Sequence, residues 1–392
     1  MRFWRRDHPA MRLARDRALG RAAVGVTLLL ALAACGRGGG PPQPPNNGGS
    51  PGTAAPSGAT GSGAAPGGGS GATPVAGAAA TPTAAPIKLV ANYSARGSGQ
   101  SGLWMGQEGG YYGEQGLDVE LTNITSTSPV IQAMLANEVQ LGGIDAGTSI
   151  QATLSGADIA LLIAGSNHSV FSILSQPEIQ EPQQLRGKVM GITRLGSATH
   201  SAGLLALGLW GLEPDRDVAF RQLNQVPAIF AALEAHQVDA GVLSLPSTSL
   251  ARRAGYHELI NLATQGPEYP SIVMSGLRSW VNGNEEAMRR FARGFVQGIH
   301  RGRTDKAWAE DVYRKYVETD DQQILDEMYG EFERCCPRVP YVSEEEIARL
   351  LADLAQDEPR LAGKQPSDFI DSRFLRELET SGFIKQVMGD AP

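Results

Sequence analysis

The chain is poor in cysteine and histidine, with three Cys and six His among 392 residues. Three cysteines cannot form the disulfide framework of a small secreted domain, and no Cys pair stands near His at a zinc-like spacing. The part predicted to fold has no Gly-x-Ser-x-Gly motif, and its few His residues have no partner acid at a recognisable spacing. We therefore expect no catalytic residue, no metal site and no cofactor, and we do not expect an enzyme.

No apolar run reaches the roughly 20 residues of a transmembrane helix. Residues 2–21 carry seven Arg, residues 22–34 are uncharged and largely apolar, and the run ends in Leu32-Ala33-Ala34-Cys35. This order is typical of a lipoprotein signal peptide, which is too short to remain as a membrane span. We predict a signal peptide at 1–34 and a lipid on Cys35. An ordinary secretory signal with an incidental Cys is the alternative.

The segment from Gly38 to Ile87 carries no charge and consists largely of Gly, Pro, Ala, Ser and Thr. It buries too little apolar surface to fold, so we predict a flexible linker at 35–86. Without residues 1–34, 27 basic and 39 acidic residues remain, and the formal charge moves from −7 to −12. This charge disfavours nucleic acid as a partner. We expect attachment to the cell membrane through the lipid on Cys35, facing the periplasm or the cell exterior.

From residue 87 onward, short apolar strands alternate with helices, which predicts an α/β fold with mainly parallel sheets. Residues 128–145 and 227–244 share their apolar positions at an offset of about 99 residues, and this repeat favours two lobes of the same build. After residue 275 the pattern becomes helical. We predict lobe I at 87–177 plus 271–392, including the C-terminal helices, and lobe II at 178–270.

Ligands of open α/β sheets lie beyond the carboxyl ends of the strands, so the candidate residues follow the predicted strands. The segment Gly187–Trp210 combines a strand, a Ser/Thr-rich loop and a helix start, where free N–H groups and the helix dipole favour an anion or a polar acceptor. The predicted ligand-binding residues are Tyr93, Arg96, Ser98, Ser101, Ser126, Asp145, Ala146, Thr148, Asn167, Arg194, Ser197, Ala198, Thr199, Asn224 and Ser244.

Several of these residues have a second interpretation. Arg96 and Arg194 either pair with an acidic group of the ligand or are solvated surface charges. Asp145 either binds an amine or an N–H group of a heterocycle, or caps the following helix at Thr148. The adjacent Cys335 and Cys336 either form a strained disulfide or have a structural or incidental role.

Three segments resemble one known family. Residues 102–121 read GLWMGQEGGYYGEQGLDVEL, residues 185–192 read LRGKVMGI, and residues 237–242 read QVDAGV. They are similar to segments of the solute-binding proteins of ABC importers, in the branch that includes sulfonate, nitrate, taurine, thiamine-pyrimidine and riboflavin binders. The resemblance implies a type II periplasmic binding protein: two Rossmann-like lobes, a hinge, and a small-molecule solute in the cleft.

The same resemblance implies an ABC permease and its ATPase as partners, and a monomeric protein. The family often has Trp-Glu-Pro in the second lobe, whereas this chain has Ser-Leu-Pro at 244–246, so the identity of the solute stays open. Two other functions remain at this point. One is a sensing or adhesive surface lipoprotein without a permease, and the other is a pyrimidine-metabolism enzyme on the same fold.

Overall fold

The structure, a computed structural model, describes residues 85–356 and 358–389. The predicted signal peptide, Cys35 and all but the last two residues of the predicted linker lie outside the described residues and stay predictions. Within the described part of the chain, no helix is both long enough and apolar enough to cross a bilayer.

Two five-stranded sheets form the framework. The first has the strand order β2-β1-β3-β10-β4. Its strands are β1 (Ile87–Tyr93), β2 (Leu117–Thr122), β3 (Leu141–Ile144), β4 (Ile159–His168) and β10 (Glu268–Leu277). β1 pairs in parallel with β2 and β3, whereas β10 runs antiparallel to β3 and β4. We call the part of the molecule built on this sheet lobe I.

The second sheet repeats this plan in the order β7-β6-β8-β5-β9. Its strands are β5 (Ser172–Ser175), β6 (Lys188–Ile192), β7 (Val218–Gln222), β8 (Ala240–Leu243) and β9 (His257–Asn261). β6 pairs in parallel with β7 and β8, and β5 runs antiparallel to β8 and β9. We call the part built on this sheet lobe II.

The predicted two-lobed α/β class is confirmed, with one difference in detail. Each sheet is mixed, because one strand in each lobe, β10 or β5, inserts antiparallel to its neighbours. β5 was not predicted as a strand, since its four residues are uniformly buried and show no alternation.

The chain crosses between the sheets twice, between β4 and β5 and between β9 and β10. The two crossings meet at one place, because Glu268 at the start of β10 pairs with His168 at the end of β4. Ser166 and Ser271 both donate hydrogen bonds to the carbonyl of His168, at 2.7 Å each. The predicted lobe boundaries, at 177 and 271, lie a few residues from the crossings and stay predictions.

Helices connect the strands in both lobes. In lobe I they are α1 (Ser101–Glu108), α2 (Tyr111–Glu114), α3 (Thr127–Leu135) and α4 (Ala146–Leu154). In lobe II they are α5 (Ala198–Trp210), α6 (Val226–Glu234), α7 (Ser247–Arg253) and α8 (Leu262–Gln265).

The C-terminal part is helical, as the sequence predicts. It contains α9 (Arg278–Gly283), α10 (Glu285–Thr304), α11 (Lys306–Tyr313), a π-helical turn (Arg314–Glu318), α12 (Gln322–Cys335), α13 (Glu344–Leu354), α14 (Arg373–Thr380) and α15 (Phe383–Met388). Short 3₁₀ turns lie at 98–100, 182–185, 359–361 and 366–368. Ser343 caps α13 through the backbone N–H of Glu346, as its position predicts.

The core of lobe I is formed where α10 packs against α1. Both helices have glycines at the crossing, where there is no room for a side chain. A Cβ on Gly298 would lie 2.4 Å from the backbone nitrogen of Gly106, and one on Gly102 would lie 2.4 Å from the Phe295 ring. The glycines therefore allow a close approach, which buries Trp104 and Phe295 completely or nearly so.

Cys335 and Cys336 are both buried and both free thiols. Their side chains enter different cores, because Cys335 packs in the main cluster of lobe II and Cys336 in that of lobe I. The structural interpretation of this pair therefore holds, and the vicinal disulfide does not form.

Candidate ligand-binding cleft

A cleft of about 330 Å³ lies between the lobes, beyond the carboxyl ends of their parallel strands. This is the position expected of a ligand site in open α/β sheets. About half of its lining residues carry hydroxyl or amide groups, and the others are apolar except for Arg96. The lining residues are Ser94, Ala95, Arg96, Asn123, Thr125, Ser126, Thr127, Phe171, Thr193, Ser197, Ala198, Thr199, Gln225, Val226, Pro227, Ser244, Leu245, Pro246, Ser247, Ile272 and Val317.

Helix α3 begins at the lobe I side of the cleft. Its N-cap is Ser126, which adopts φ 76° and ψ 147°, a left-handed value that a non-glycine residue rarely takes. Ser126 is 6% exposed, and its hydroxyl has no hydrogen-bond partner among the described residues. A strained residue in the lining of a cleft, with an unpaired buried hydroxyl, is a candidate binding position.

Helix α5 begins opposite, on the lobe II side. Its N-cap Ser197 accepts a hydrogen bond from the N–H of His200. The Thr193, Ser197 and Thr199 hydroxyls lie 2.8–2.9 Å from one another, so they hold the loop in shape. The N–H groups of Ala198 and Thr199 lie in the first helical turn, where no preceding carbonyl within the helix accepts them. They and the helix dipole favour an anionic or acceptor group of a ligand.

The two lobes also touch directly beside the cleft. Thr148 Oγ1 lies 2.9 Å from the carbonyl oxygen of Gly196, and Ser128 Oγ lies 3.4 Å from the same oxygen. Ser201 Oγ of lobe II donates to Asp145 Oδ1 of lobe I at 3.1 Å. These contacts join the loop before α5 to the starts of α3 and α4.

Asp145 is a structural carboxylate at this contact. It is fully buried, and it accepts from the N–H of Thr148 at 2.8 Å and from the Tyr269 hydroxyl at 2.9 Å. Burial raises its pKa, while the hydrogen bonds from Thr148, Tyr269 and Ser201 act in the opposite direction. The capping interpretation of Asp145 is therefore the one observed, and its oxygens face protein donors rather than the cleft.

Arg96 is the one charged side chain among the described residues that line the cleft. Its Nη1 lies 2.8 Å from Glu318 Oε2. The hydrogen bond to Glu318 raises the pKa of Arg96, and the same bond lowers the pKa of Glu318. Arg194 is exposed and lines a separate surface groove along α3, together with Ser128 and Glu138.

The structure brings six of the fifteen predicted residues to the cleft wall: Arg96, Ser126, Ser197, Ala198, Thr199 and Ser244. It puts the other nine elsewhere. Tyr93 packs edge-on against Trp104, Ser98 and Ser101 bond to Glu331 and Tyr313, and Asn167 lies at the crossing between the lobes. Asp145 and Thr148 belong to the direct contact between the lobes, and Ala146 packs in a buried cluster of lobe I. Arg194 lies in the groove, and Asn224 is an exposed residue with φ 67°.

Sequence reasoning missed the apolar part of the lining. Phe171 lies on the crossing between the sheets and Ile272 on β10, so neither follows a predicted parallel strand. Val317 comes from the π-helical turn, more than 200 residues along the chain from Arg96. No local pattern marks these positions, because they reach the cleft only through the packing of distant elements.

The two-lobed fold and its interlobe cleft define the class of periplasmic binding proteins. The chain matches the family described as NMT1/THI5 like over residues 99–303, slightly more than half of its length, and it belongs to that family. YtlA of Bacillus subtilis (strain 168), named as a binding protein, is 22% identical over 242 residues, which are 60% of this chain and 68% of YtlA.

Solved structures show the same fold. The alkanesulfonate-binding protein SsuA from Xanthomonas axonopodis pv. citri, bound to MOPS, superposes with a TM-score of 0.62 at 18% identity, over 74% of this chain and 100% of that chain. The periplasmic nitrate-binding protein NrtA from Synechocystis PCC 6803 superposes with a TM-score of 0.62 at 11% identity, over 78% of this chain and 90% of that one.

Proposed function

We propose that this protein captures a small organic acid in the cleft between its lobes and delivers it to an ABC permease. The observation that carries the proposal is the pair of helix starts that face the cleft. One of them holds the unpaired hydroxyl of Ser126, and the other offers the N–H groups of Ala198 and Thr199. Such a pair of donors suits a sulfonate or carboxylate head group.

The volume and the apolar lining support an organic rather than an inorganic solute. Ligand sites of about 300–1,000 Å³ hold small organic molecules, and this cleft of about 330 Å³ is at the lower end. Phe171, Leu245, Ile272 and Val317 offer an apolar wall for the body of the solute. The relatives named for alkanesulfonate and nitrate support an anion, and a flat pyrimidine or flavin-type ring remains an alternative that Phe171 would contact.

The N-terminal pattern supports a location next to a membrane permease. A lipid on Cys35 and a linker of about fifty residues would hold the protein at the membrane and let it reach a permease. A sensing or adhesive surface lipoprotein would share the anchor and the cleft but would act without a permease. The pyrimidine-metabolism alternative is weaker, because the sequence lacks the Cys-rich motif of those enzymes and Arg96 is the one charged lining residue in the described part of the cleft.

The first experiment identifies the solute. Mass spectrometry of the protein purified without denaturation is expected to reveal a bound organic acid, and adding that acid should raise the melting temperature, because it binds only the folded state. Ser126→Ala removes the unpaired hydroxyl and should weaken binding by about tenfold, the value of one hydrogen bond to a charged group. Ser155→Ala is the matched control, because Ser155 is exposed at the far end of α4.

The result also separates the functions. An empty cleft, together with no thermal shift across alkanesulfonates, nitrate, pyrimidines and flavins, would contradict the proposal. Binding of a solute without stimulation of transport by reconstituted permease and ATPase would favour the sensing lipoprotein.

A further inference from the structure

The match to the NMT1/THI5-like family ends at residue 303, near the end of α10, and the helices from α11 onward follow it. One segment of this C-terminal part nevertheless reaches the cleft. Val317 is 7% exposed, lines the cleft, and packs in the same cluster as Leu245 of lobe II. The wall of the cleft at this point is therefore supplied by a part of the chain outside the family match.

The backbone of this segment is unusual. Residues 314–318 form a π-helical turn, a conformation that is rare and is frequently found at functional sites. The turn ends at Glu318 with φ 58°, in the left-handed region that non-glycine residues seldom occupy. These two features put the Glu318 carboxylate against the loop that follows β1.

The partner of Glu318 at that loop is Arg96, which is the one charged side chain in the described lining of the cleft. The 2.8 Å pair leaves the cleft with no net charge from its side chains. The interaction with Arg96 lowers the pKa of Glu318, so its carboxylate is ionised at neutral pH. An acidic group of a solute that approached Arg96 would have to compete with this carboxylate and would also be repelled by it.

We propose that Glu318 determines the charge selectivity of the cleft: as the built-in counter-ion of Arg96, it admits solutes with one acidic group and rejects those with a second. This inference rests on the proposed function, because it assumes that the first acidic group binds at the starts of α3 and α5. The second acidic group would then find Arg96 already neutralised. Removal of the Glu318 charge frees Arg96 as an anion site.

The test compares ethanesulfonate with ethanedisulfonate, by calorimetric titration of the full chain at low ionic strength. The wild-type protein is expected to bind the monosulfonate more tightly. Glu318→Gln is expected to leave monosulfonate binding nearly unchanged and to strengthen disulfonate binding by about threefold. A freed guanidinium gains a charge-assisted bond, but water screens part of it, because the Arg96 and Glu318 side chains are 42% and 70% exposed. In the double variant Arg96→Gln/Glu318→Gln this gain should disappear.

Asp320→Asn is the matched control. Asp320 lies two residues away, its side chain is 92% exposed, and it pairs with Arg314 rather than Arg96. The Asp320→Asn variant removes one negative charge, as Glu318→Gln does, without changing the cleft. The preference for ethanesulfonate over ethanedisulfonate should therefore not change. The inference is overturned if Glu318→Gln fails to gain disulfonate binding, or if Asp320→Asn gains as much. Failure of the proposed function would appear separately, as absence of ethanesulfonate and other acids from the wild-type cleft.

Discussion

Glu327 of α12 connects the two lobes outside the cleft, and Glu327→Gln tests whether this contact holds them together. Its Oε2 lies 3.2 Å from Arg252 Nη1 and its Oε1 lies 3.1 Å from Ser249 Oγ, and both partners belong to α7 of lobe II. Arg252 is held in place by two bonds to Glu258, at 2.8 and 3.1 Å. We expect opening of the cleft to move α7 away from α12, in which case the contact would stabilise the closed arrangement.

The size of the effect follows from burial. The side chains of Arg252 and Glu327 are 33% and 27% exposed, so water screens part of their attraction. An ion pair with this degree of burial stabilises the contact by about 1 kcal/mol, a value between those of an exposed ion pair and of a buried hydrogen bond to a charged group. Because Gln retains an oxygen for Ser249, the variant should lose roughly that amount. The ratio of open to closed protein should then rise about fivefold.

Hydrogen–deuterium exchange of the full chain measures this ratio. In Glu327→Gln, peptides that cover the loops at 125–128 and 197–200 should exchange about fivefold faster, while the strands of both sheets keep their protection. Asp326→Asn is the control, because Asp326 pairs at 2.5 Å with Lys306 on the neighbouring helix of lobe I and not with lobe II. Equal exchange of the cleft loops in wild type and Glu327→Gln, or an equal gain in Asp326→Asn, would refute the reasoning.

Three further predictions concern stability and pH. Phe295→Ala should lower the free energy of unfolding in urea by about 3–5 kcal/mol, because the ring is 1% exposed in the lobe I core. Trp280→Ala should lower it by less, because Trp280 is only partly buried at the edge of that core. Gly298→Ala should also destabilise it, because the new Cβ would lie 2.4 Å from the Gly106 nitrogen, whereas Gly283→Ala has open space. Glu331 is buried beside the Ser98 hydroxyl, and burial raises its pKa from 4.5 to about 7. The contribution of Glu331 to stability should be fully present below pH 4.5 and lost as the pH rises through about 7. Glu331→Gln should therefore flatten the dependence of the free energy of unfolding on pH in this range. The same pH dependence in the variant and the wild type would contradict the assignment.

The sequence predicts the β6–α5 unit of lobe II well because its signals are local. Ser197 caps a helix directly after a short apolar strand, and both features lie within one stretch of about twenty residues. The same holds for Ser343, where a cap and an acid three residues later start α13. Each of these signals involves neighbours in the chain, so one sequence is enough to recognise them.

The side chains around the cleft come from distant parts of the chain, so the sequence predicts only some of them. Thr148 follows a predicted strand as expected, but its hydroxyl is used between the lobes at Gly196. For Arg96 the sequence left open an acidic ligand group or a solvated surface charge, and in the structure it pairs with Glu318. Neither partner is predictable from spacing, because each lies tens to hundreds of residues away and is brought close only by the arrangement of the lobes and the C-terminal helices.

The contacts between the lobes have a consequence for affinity. A solute that binds only the closed arrangement has an apparent Kd equal to its intrinsic Kd divided by the closed fraction. If the bonds of Glu327 and of Thr148 to the opposite lobe keep the wild-type protein mostly closed, a fivefold shift toward the open form changes the affinity little. If the wild-type protein is mostly open, Glu327→Gln should weaken the binding of every solute by about fivefold. Titration of Glu327→Gln with an acid that the protein binds, compared with the hydrogen–deuterium exchange rates of the same variant, therefore shows whether the open or the closed arrangement dominates. A loss of affinity without faster exchange of the cleft loops would show that Glu327 affects solute binding by another route.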